Sequence, residues 1–227
     1  MKYRAVLFDF DYTLGDSTKG IVLSANAALE RMGLEEQSEE AIRRTIGLSL
    51  RDTYRALTGD GNPQAAESFA AFFREKADQV MAESAVLYPC VPTLLKALRA
   101  QEIRTGIVTT KFRYRILQIL GKYGLTDSVD CIVGAEDVKK EKPSPEGILL
   151  AMERLGAQKE ETLYVGDSAV DAAAAERACV DFAGVLTGTT PEEALRERTC
   201  VWVVREVRQL GEVLERTAFV ENISDRL

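Results

Sequence analysis

Histidine is absent from all 227 residues. Its absence removes Ser-His-Asp and Cys-His nucleophile activation, and every metal site built on imidazole. Any chemistry must therefore run on carboxylates, lysine, hydroxyls and, where a metal takes part, a hard cation. Basic residues are also in deficit, with 29 Lys and Arg against 36 Asp and Glu and a net charge of −7. A nucleic-acid partner would require a clustered basic surface, so none is expected. No apolar run is long enough to span a bilayer, and the opening "MKYRAVLFDF" lacks the apolar middle and small-residue cleavage site of a signal peptide. A cytoplasmic protein with no membrane partner is the expectation. Cys90, Cys131, Cys179 and Cys200 are widely spaced without a C-x-x-C pair. That pattern gives neither a disulfide framework nor a zinc motif, and predicts reduced, mostly buried thiols.

What remains is an ordinary globular mixture, 46% hydrophobic and 29% charged, with length for one large domain or two smaller ones. Outside residues 17–85 short apolar runs alternate with helical patterns. "YRAVLFDF", "IRTGIVTT", "VDCIVGA", "ETLYVGDS", "DFAGVLTG" and "CVWVVREV" read as strands. Between them "VPTLLKALRAQ", "RYRILQILGKYG", "SPEGILLAMERLG", "AVDAAAAERA", "PEEALRER" and "VRQLGEVLER" read as helices. Ser144 is expected to cap the third of these patterns, with Pro145 at its first position and Gly156 past its end; the second should end at Gly121 or Gly124. Repeated strand–helix pairs with nearly continuous apolar strands predict an α/β fold, a parallel sheet covered on both faces. Residues 17–85 differ, showing helical periodicity broken by Gly and Asn-Pro and no convincing strand. The predicted organisation is a core of residues 1–16 and 86–227, Rossmann-like, with an all-helical cap inserted over 17–85.

Ligands of an open α/β sheet bind beyond the carboxyl ends of its strands. Four such ends carry reactive groups. The first is "VLFDFDYTLGDS", where Asp9 and Asp11 project to one side of an extended backbone while Phe10 points into the core. A carboxylate is a nucleophile that needs no deprotonation, and a second carboxyl beside it can exchange a proton with a leaving alkoxide and with water. By itself the pair fits a polar turn equally well. The second end is Thr109, Thr110, Lys111, where a hydroxyl and free backbone N–H groups make either an anion site or a plain helix cap. The third is "VGDSAVD": Asp167 with other carboxylates would hold a hard cation such as Mg²⁺, whereas Asp171 alone fits a helix N-terminus. The fourth is Lys142, kept extended by Pro143 and able to neutralise a phosphate; Lys139 and Lys140 read as solvated charge.

In that order these segments resemble the haloacid dehalogenase-like superfamily of phosphohydrolases. "DFDYT" matches its D-x-D-x-T motif, Thr109 in "IVTTK" its second, Lys142 in "KPSP" its third and "GDSAVD" its acidic fourth. The resemblance spans nearly the whole chain, including a helical cap between the first two motifs. It implies that Asp9 is a nucleophile forming an aspartyl-phosphate and that Asp11 is the general acid/base. It further implies Mg²⁺ held by Asp9, Asp167 and the Asp11 backbone carbonyl, with Asp171 supporting the site from behind. Thr109 and Lys142 would bind the phosphoryl group of a small phosphorylated metabolite.

Within that family, Asp11 favours phosphoryl transfer, because the dehalogenases lack an acid there. A Schiff-base lysine in the cap has only Lys19 and Lys76 to draw on, and the cap histidine of the sugar phosphomutases is missing. Hydrolysis of a phosphomonoester is expected, with inorganic pyrophosphate the alternative substrate and a catalytically silent binding module a more distant one. "IGLSLRD" lies where the phosphoglycolate phosphatases place a specificity loop, so Arg51 would meet a carboxylate or second phosphate, or else is an exposed helix-start arginine. Thr110 replaces the Asn common among phosphoglycolate phosphatases, and Tyr12 replaces the usual Gly.

Overall fold

A computed structural model of the chain describes residues 2–211 and 213–214. Strand β1 (Ala5–Phe8) is buried throughout and lies at the centre of a six-stranded sheet. The others are β4 (Arg104–Val108), β5 (Cys131–Val133), β6 (Thr162–Gly166), β7 (Asp181–Val185) and β8 (Trp202–Val204). Their order is β5-β4-β1-β6-β7-β8 and every pairing is parallel; Val6 stands opposite Thr105 on one side and Leu163 on the other.

Alternation along each strand feeds two cores. Val6, Phe8, Ile107, Leu163 and Val165 join the core beneath α5 (Val91–Ala100) and α6 (Arg113–Lys122). Ala5, Leu7, Val108 and Tyr164 join the opposite one, with α7 (Glu146–Leu155) and α8 (Ala169–Ala178). Burying both faces explains why the strands read as continuous apolar runs. A short α9 (Glu192–Arg196) precedes β8.

Between β1 and α5 the chain leaves the sheet. It forms α1 (Thr18–Arg31), α2 (Glu39–Arg43), α3 (Leu50–Thr58) and α4 (Pro63–Ser84), with a core of their own that includes Ala25, Leu29, Phe69, Phe73 and Ala77. Asn62 caps α4, its side-chain oxygen accepting from Gln64 N at 2.9 Å, and Pro63 takes the first helical position. The outgoing and returning chains pair as a two-strand antiparallel ribbon, β2 (Gly15–Asp16) with β3 (Val86–Leu87). Gly15 is needed there, since a Cβ would stand 2.7 Å from the Val86 carbonyl.

Several local expectations are corrected. The ribbon was not anticipated, because two residues are too few to carry an alternation. Helix α7 begins at Glu146 with Pro145 as its cap residue; Ser144 sits one position further out, its hydroxyl accepting from Glu146 N at 3.3 Å. Helix α6 ends at Lys122, and Gly124, at φ 66°, makes the reversal. The four cysteines are free, but three are half-buried and Cys179, at the C-terminal cap of α8, is exposed. The helical pattern over 207–216 and the tail at 218–227 lie partly or wholly outside the described residues. Among those described, no helix is long and apolar enough to cross a membrane.

Candidate active site

Strand β1 delivers Asp9 as it ends, with Asp9 N bonded to the Val165 carbonyl at 2.8 Å. Phe10 is fully buried in the core, as the alternation requires, and its carbonyl receives the N–H groups of Leu14 and Gly15. This tight turn puts Tyr12 at φ 58°, the left-handed region in which glycine is at home. The tyrosine is held there by its own side chain. Its hydroxyl lies 2.7 Å from Thr18 Oγ1 and accepts from Arg43 Nε at 3.2 Å, and the Thr187 hydroxyl donates to its backbone carbonyl.

Lys142 is the hub of the site. Its ammonium is buried 2.7 Å from Asp9 Oδ1 and 2.6 Å from Asp171 Oδ1, and it donates to the Tyr164 hydroxyl at 3.2 Å. The Lys142–Pro143 peptide is cis. Asp171 does two jobs at once. One oxygen faces Lys142 and the Tyr164 hydroxyl, and the other accepts from the Ser168 hydroxyl and N–H in a capping box at the start of α8. The helix-capping geometry and the contact with Lys142 are thus made by one and the same carboxylate.

Asp167, from the end of β6, completes a buried acidic group. Oxygens of Asp9, Asp167 and Asp171 lie within 4.8 Å of one another. Burial pushes the Asp9 carboxyl up to about 7; Lys142 opposes this, while Asp171 and Asp11 add to it. Burial, then Asp171 and Asp9, hold Asp167 well above the usual carboxylate range. Burial alone would favour neutral Lys142, but Asp171 and Asp9 outweigh it and raise its pKa. The loop after β7 packs on Asp167 through Gly188, leaving no room for a Cβ. Three carboxylates crowded about one lysine cannot all ionise without a further positive charge, and their all-oxygen donor set fits a hard divalent cation.

Asp11 is outside that group. Its Oδ2 pairs with Lys111 Nζ at 2.8 Å, and both side chains are buried. Sequence reasoning placed Lys111 at a strand end but gave it no role. The signal was available, for Lys111 follows Thr109 at i+2 just past a strand end, the same spacing that singled out Asp9 and Asp11. Tyr164 was missed as well, because inside a strand it reads as one more core aromatic. Thr109 is buried and its hydroxyl accepts from Lys111 N at 3.2 Å, so it caps the local turn.

A cavity of about 560 Å³ lies between helices α3 and α4 and the loops after β4 and β5. Lys111, Lys142, Thr110, Arg51 and Arg74 are among its lining residues. Arg51 faces it from the exposed first turn of α3, 3.8 Å from Glu67. Of the residues singled out from sequence, Asp9, Lys142, Asp167 and Asp171 are brought together directly. Asp11 joins Lys111 beside them, and Thr110 and Arg51 stand on the cavity wall. Lys139 and Lys140 are exposed, as expected.

Residues 6–185 match the family described as haloacid dehalogenase-like hydrolase. Pyrophosphatase PpaX of Bacillus pumilus is 33% identical over 207 residues, covering 91% of this chain and 94% of its own. Phosphoglycolate phosphatase of Aquifex aeolicus is 32% identical over 185 residues, covering 82% and 85% respectively. A solved haloacid dehalogenase-like hydrolase of Bacteroides fragilis superposes with a TM-score of 0.89 at 42% identity, covering 92% of this chain and 100% of its own. With the acids and the lysine of the motifs gathered at the strand ends, the chain belongs to the haloacid dehalogenase-like hydrolases.

Proposed function

We propose that the chain is a Mg²⁺-dependent phosphatase that hydrolyses a small phosphomonoester through a phosphorylated Asp9. The observation that carries this reading is the buried contact of Lys142 with both Asp9 and Asp171, with Asp167 beside them. A carboxylate does not approach a phosphate unaided, and a lysine fixed against it offsets the repulsion. Asp9, Asp167 and the Asp11 backbone carbonyl would hold the metal. When bound, the ion would neutralise the carboxylates and the phosphoryl oxygens, lowering the charge barrier to attack.

The chain's own groups divide the rest. Asp9 attacks phosphorus, forming an Asp9 O–P bond as the bond to the leaving oxygen breaks. Asp11 gives its proton to that oxygen, then takes one from the water that cleaves the Asp9 phosphate. Lys142 stays on the transferring group, and Thr109 supplies its hydroxyl to it. Thr110 and Arg51 contact the remainder of the substrate. Residues 17–85 serve as a cap over the core formed by 1–16 and 86–227, and the cavity between them sets the choice of substrate. Four free cysteines agree with a cytoplasmic setting.

Phosphoglycolate is the first substrate we would test. A pyrophosphatase is the second reading, favoured by the relative of that name matched across 91% of the chain. A panel containing p-nitrophenyl phosphate, phosphoglycolate and inorganic pyrophosphate, each with and without Mg²⁺, separates the two. Metal-independent turnover, or none on any phosphate, overturns both.

A further inference from the structure

Asp11 has two carboxylate oxygens in different circumstances. Oδ2 is paired with Lys111 Nζ at 2.8 Å, whereas Oδ1 is buried and has no hydrogen-bond partner among the described residues. A buried polar atom left without a partner is costly, so native structures keep few of them outside working sites. Lys111 is itself built in. Its N–H donates to Thr109 Oγ1 at 3.2 Å and its carbonyl accepts from Ala135 N at 3.0 Å, which fixes the backbone on both sides. Its ammonium also lies 3.8 Å from Met81 Sδ, on helix α4. The side chain therefore runs between an atom of the helical insertion and the carboxylate of the first motif, along the cavity wall.

We propose that Lys111 is a positioning residue for proton transfer: it anchors Asp11 through Oδ2 and leaves Oδ1 as the oxygen that carries the proton. The assignment rests on the reading of Asp11 as the group that protonates the leaving oxygen. Paired with Lys111, Asp11 starts as a carboxylate, so the proton it delivers is first taken up at Oδ1 from the bound phosphomonoester monoanion; then the P–O bond to the leaving group breaks, its electron pair stays on the leaving oxygen, and that proton moves to it. An unanchored Asp11 rotates about its side-chain bonds and presents Oδ1 at the wrong angle, a loss borne by proton delivery and not by attack at phosphorus. Because Met81 backs the ammonium, the anchor is complete only while α4 sits over the strand ends.

Leaving-group basicity supplies the test. Glycerol 2-phosphate releases a strongly basic alkoxide that must be protonated, whereas p-nitrophenyl phosphate releases a weakly basic phenolate that needs little help. The quantity to follow is kcat/KM, which reports the steps up to leaving-group departure. For K111M we expect a loss of about 100-fold on glycerol 2-phosphate and less than about fivefold on p-nitrophenyl phosphate, a size typical of lost acid–base assistance. D11N should show the same selectivity, the K111M/D11N double variant should be no worse than D11N, and K111R should recover part of the loss. K111Q, which keeps a donor for Oδ2, should fall between wild type and K111M, and carries the comparison if K111M melts early.

Equal losses on both substrates, no loss on either, or additive losses in the double variant would overturn the assignment. So would a wild-type enzyme that cleaves the aryl ester and leaves the alkyl ester untouched. The underlying phosphatase reading fails separately, by a wild type inactive on both esters or a D9N variant that remains active.

Discussion

Gly188 and Asp167 are in such close contact that a Cβ placed on the glycine would stand 1.8 Å from Asp167 Oδ2 and 2.6 Å from its Cγ. The loop after β7 thereby fixes a carboxylate that belongs to the end of β6. In Gly188→Ala that carboxylate has to turn away. Surroundings that orient a ligand are commonly worth 10- to 100-fold in metal affinity. We expect the Mg²⁺ concentration for half-maximal activity to rise about tenfold or more while the melting temperature changes little. Calorimetric Mg²⁺ titration of the variant checks this without relying on turnover, and an unchanged affinity would remove Asp167 from the metal's ligands.

Arg51 on the cavity wall offers a second expectation. Its pairing with Glu67 is loose and exposed, so little is lost when the side chain goes. If it meets a carboxylate or second phosphate of the substrate, R51A should raise KM about tenfold for phosphoglycolate or pyrophosphate. The same variant should change KM for p-nitrophenyl phosphate less than twofold. A uniform change across the three substrates would return Arg51 to the exposed helix-start role.

Asp137 ties the sheet's far edge together, away from the chemistry. It accepts from Gly134 N at 2.9 Å, Arg113 at 2.8 Å and Arg154 at 2.9 Å. Burial alone would raise its pKa, but the Gly134 N–H and the two arginines hold it below the usual carboxylate value. A carboxyl with a lowered folded pKa adds stability that is complete above its unfolded value, about 4, and lost as pH falls through the folded one. Both arginines are partly exposed, so D137N should cost only about 1–2 kcal/mol at pH 7. Denaturant melts at pH 7 and pH 3 should show the gap between the two proteins narrowing in acid. A gap that widens would reverse the sign of the argument.

Much of this architecture was legible in the sequence because it obeys local rules. Strand ends that break from apolar residues into Asp9, Thr109 and Asp167 announced the edge of the site, and burial on both faces gave the parallel sheet. Lys142 was legible through its neighbour Pro143. Three features were not. Lys111 sits in plain view, but its partner Asp11 lies a hundred residues away in sequence, and only the β1–β4 pairing brings them together. Tyr164 occupies a core position by pattern, yet its hydroxyl reaches Val108 O, Lys142 and Asp171. Gly188 lies in a loop of threonines and glycine whose sequence says turn and nothing about what the turn packs against.

The central claim is that phosphate passes through a covalent bond to Asp9. Rapid acid quench of the Mg²⁺-loaded enzyme with a ³²P-labelled phosphomonoester, followed by peptide mapping, tests it most directly. Label on the peptide carrying Asp9, formed within the first turnover and absent from D9N, is the expected result. Turnover with no label on protein, or label that persists in D9N, would contradict it.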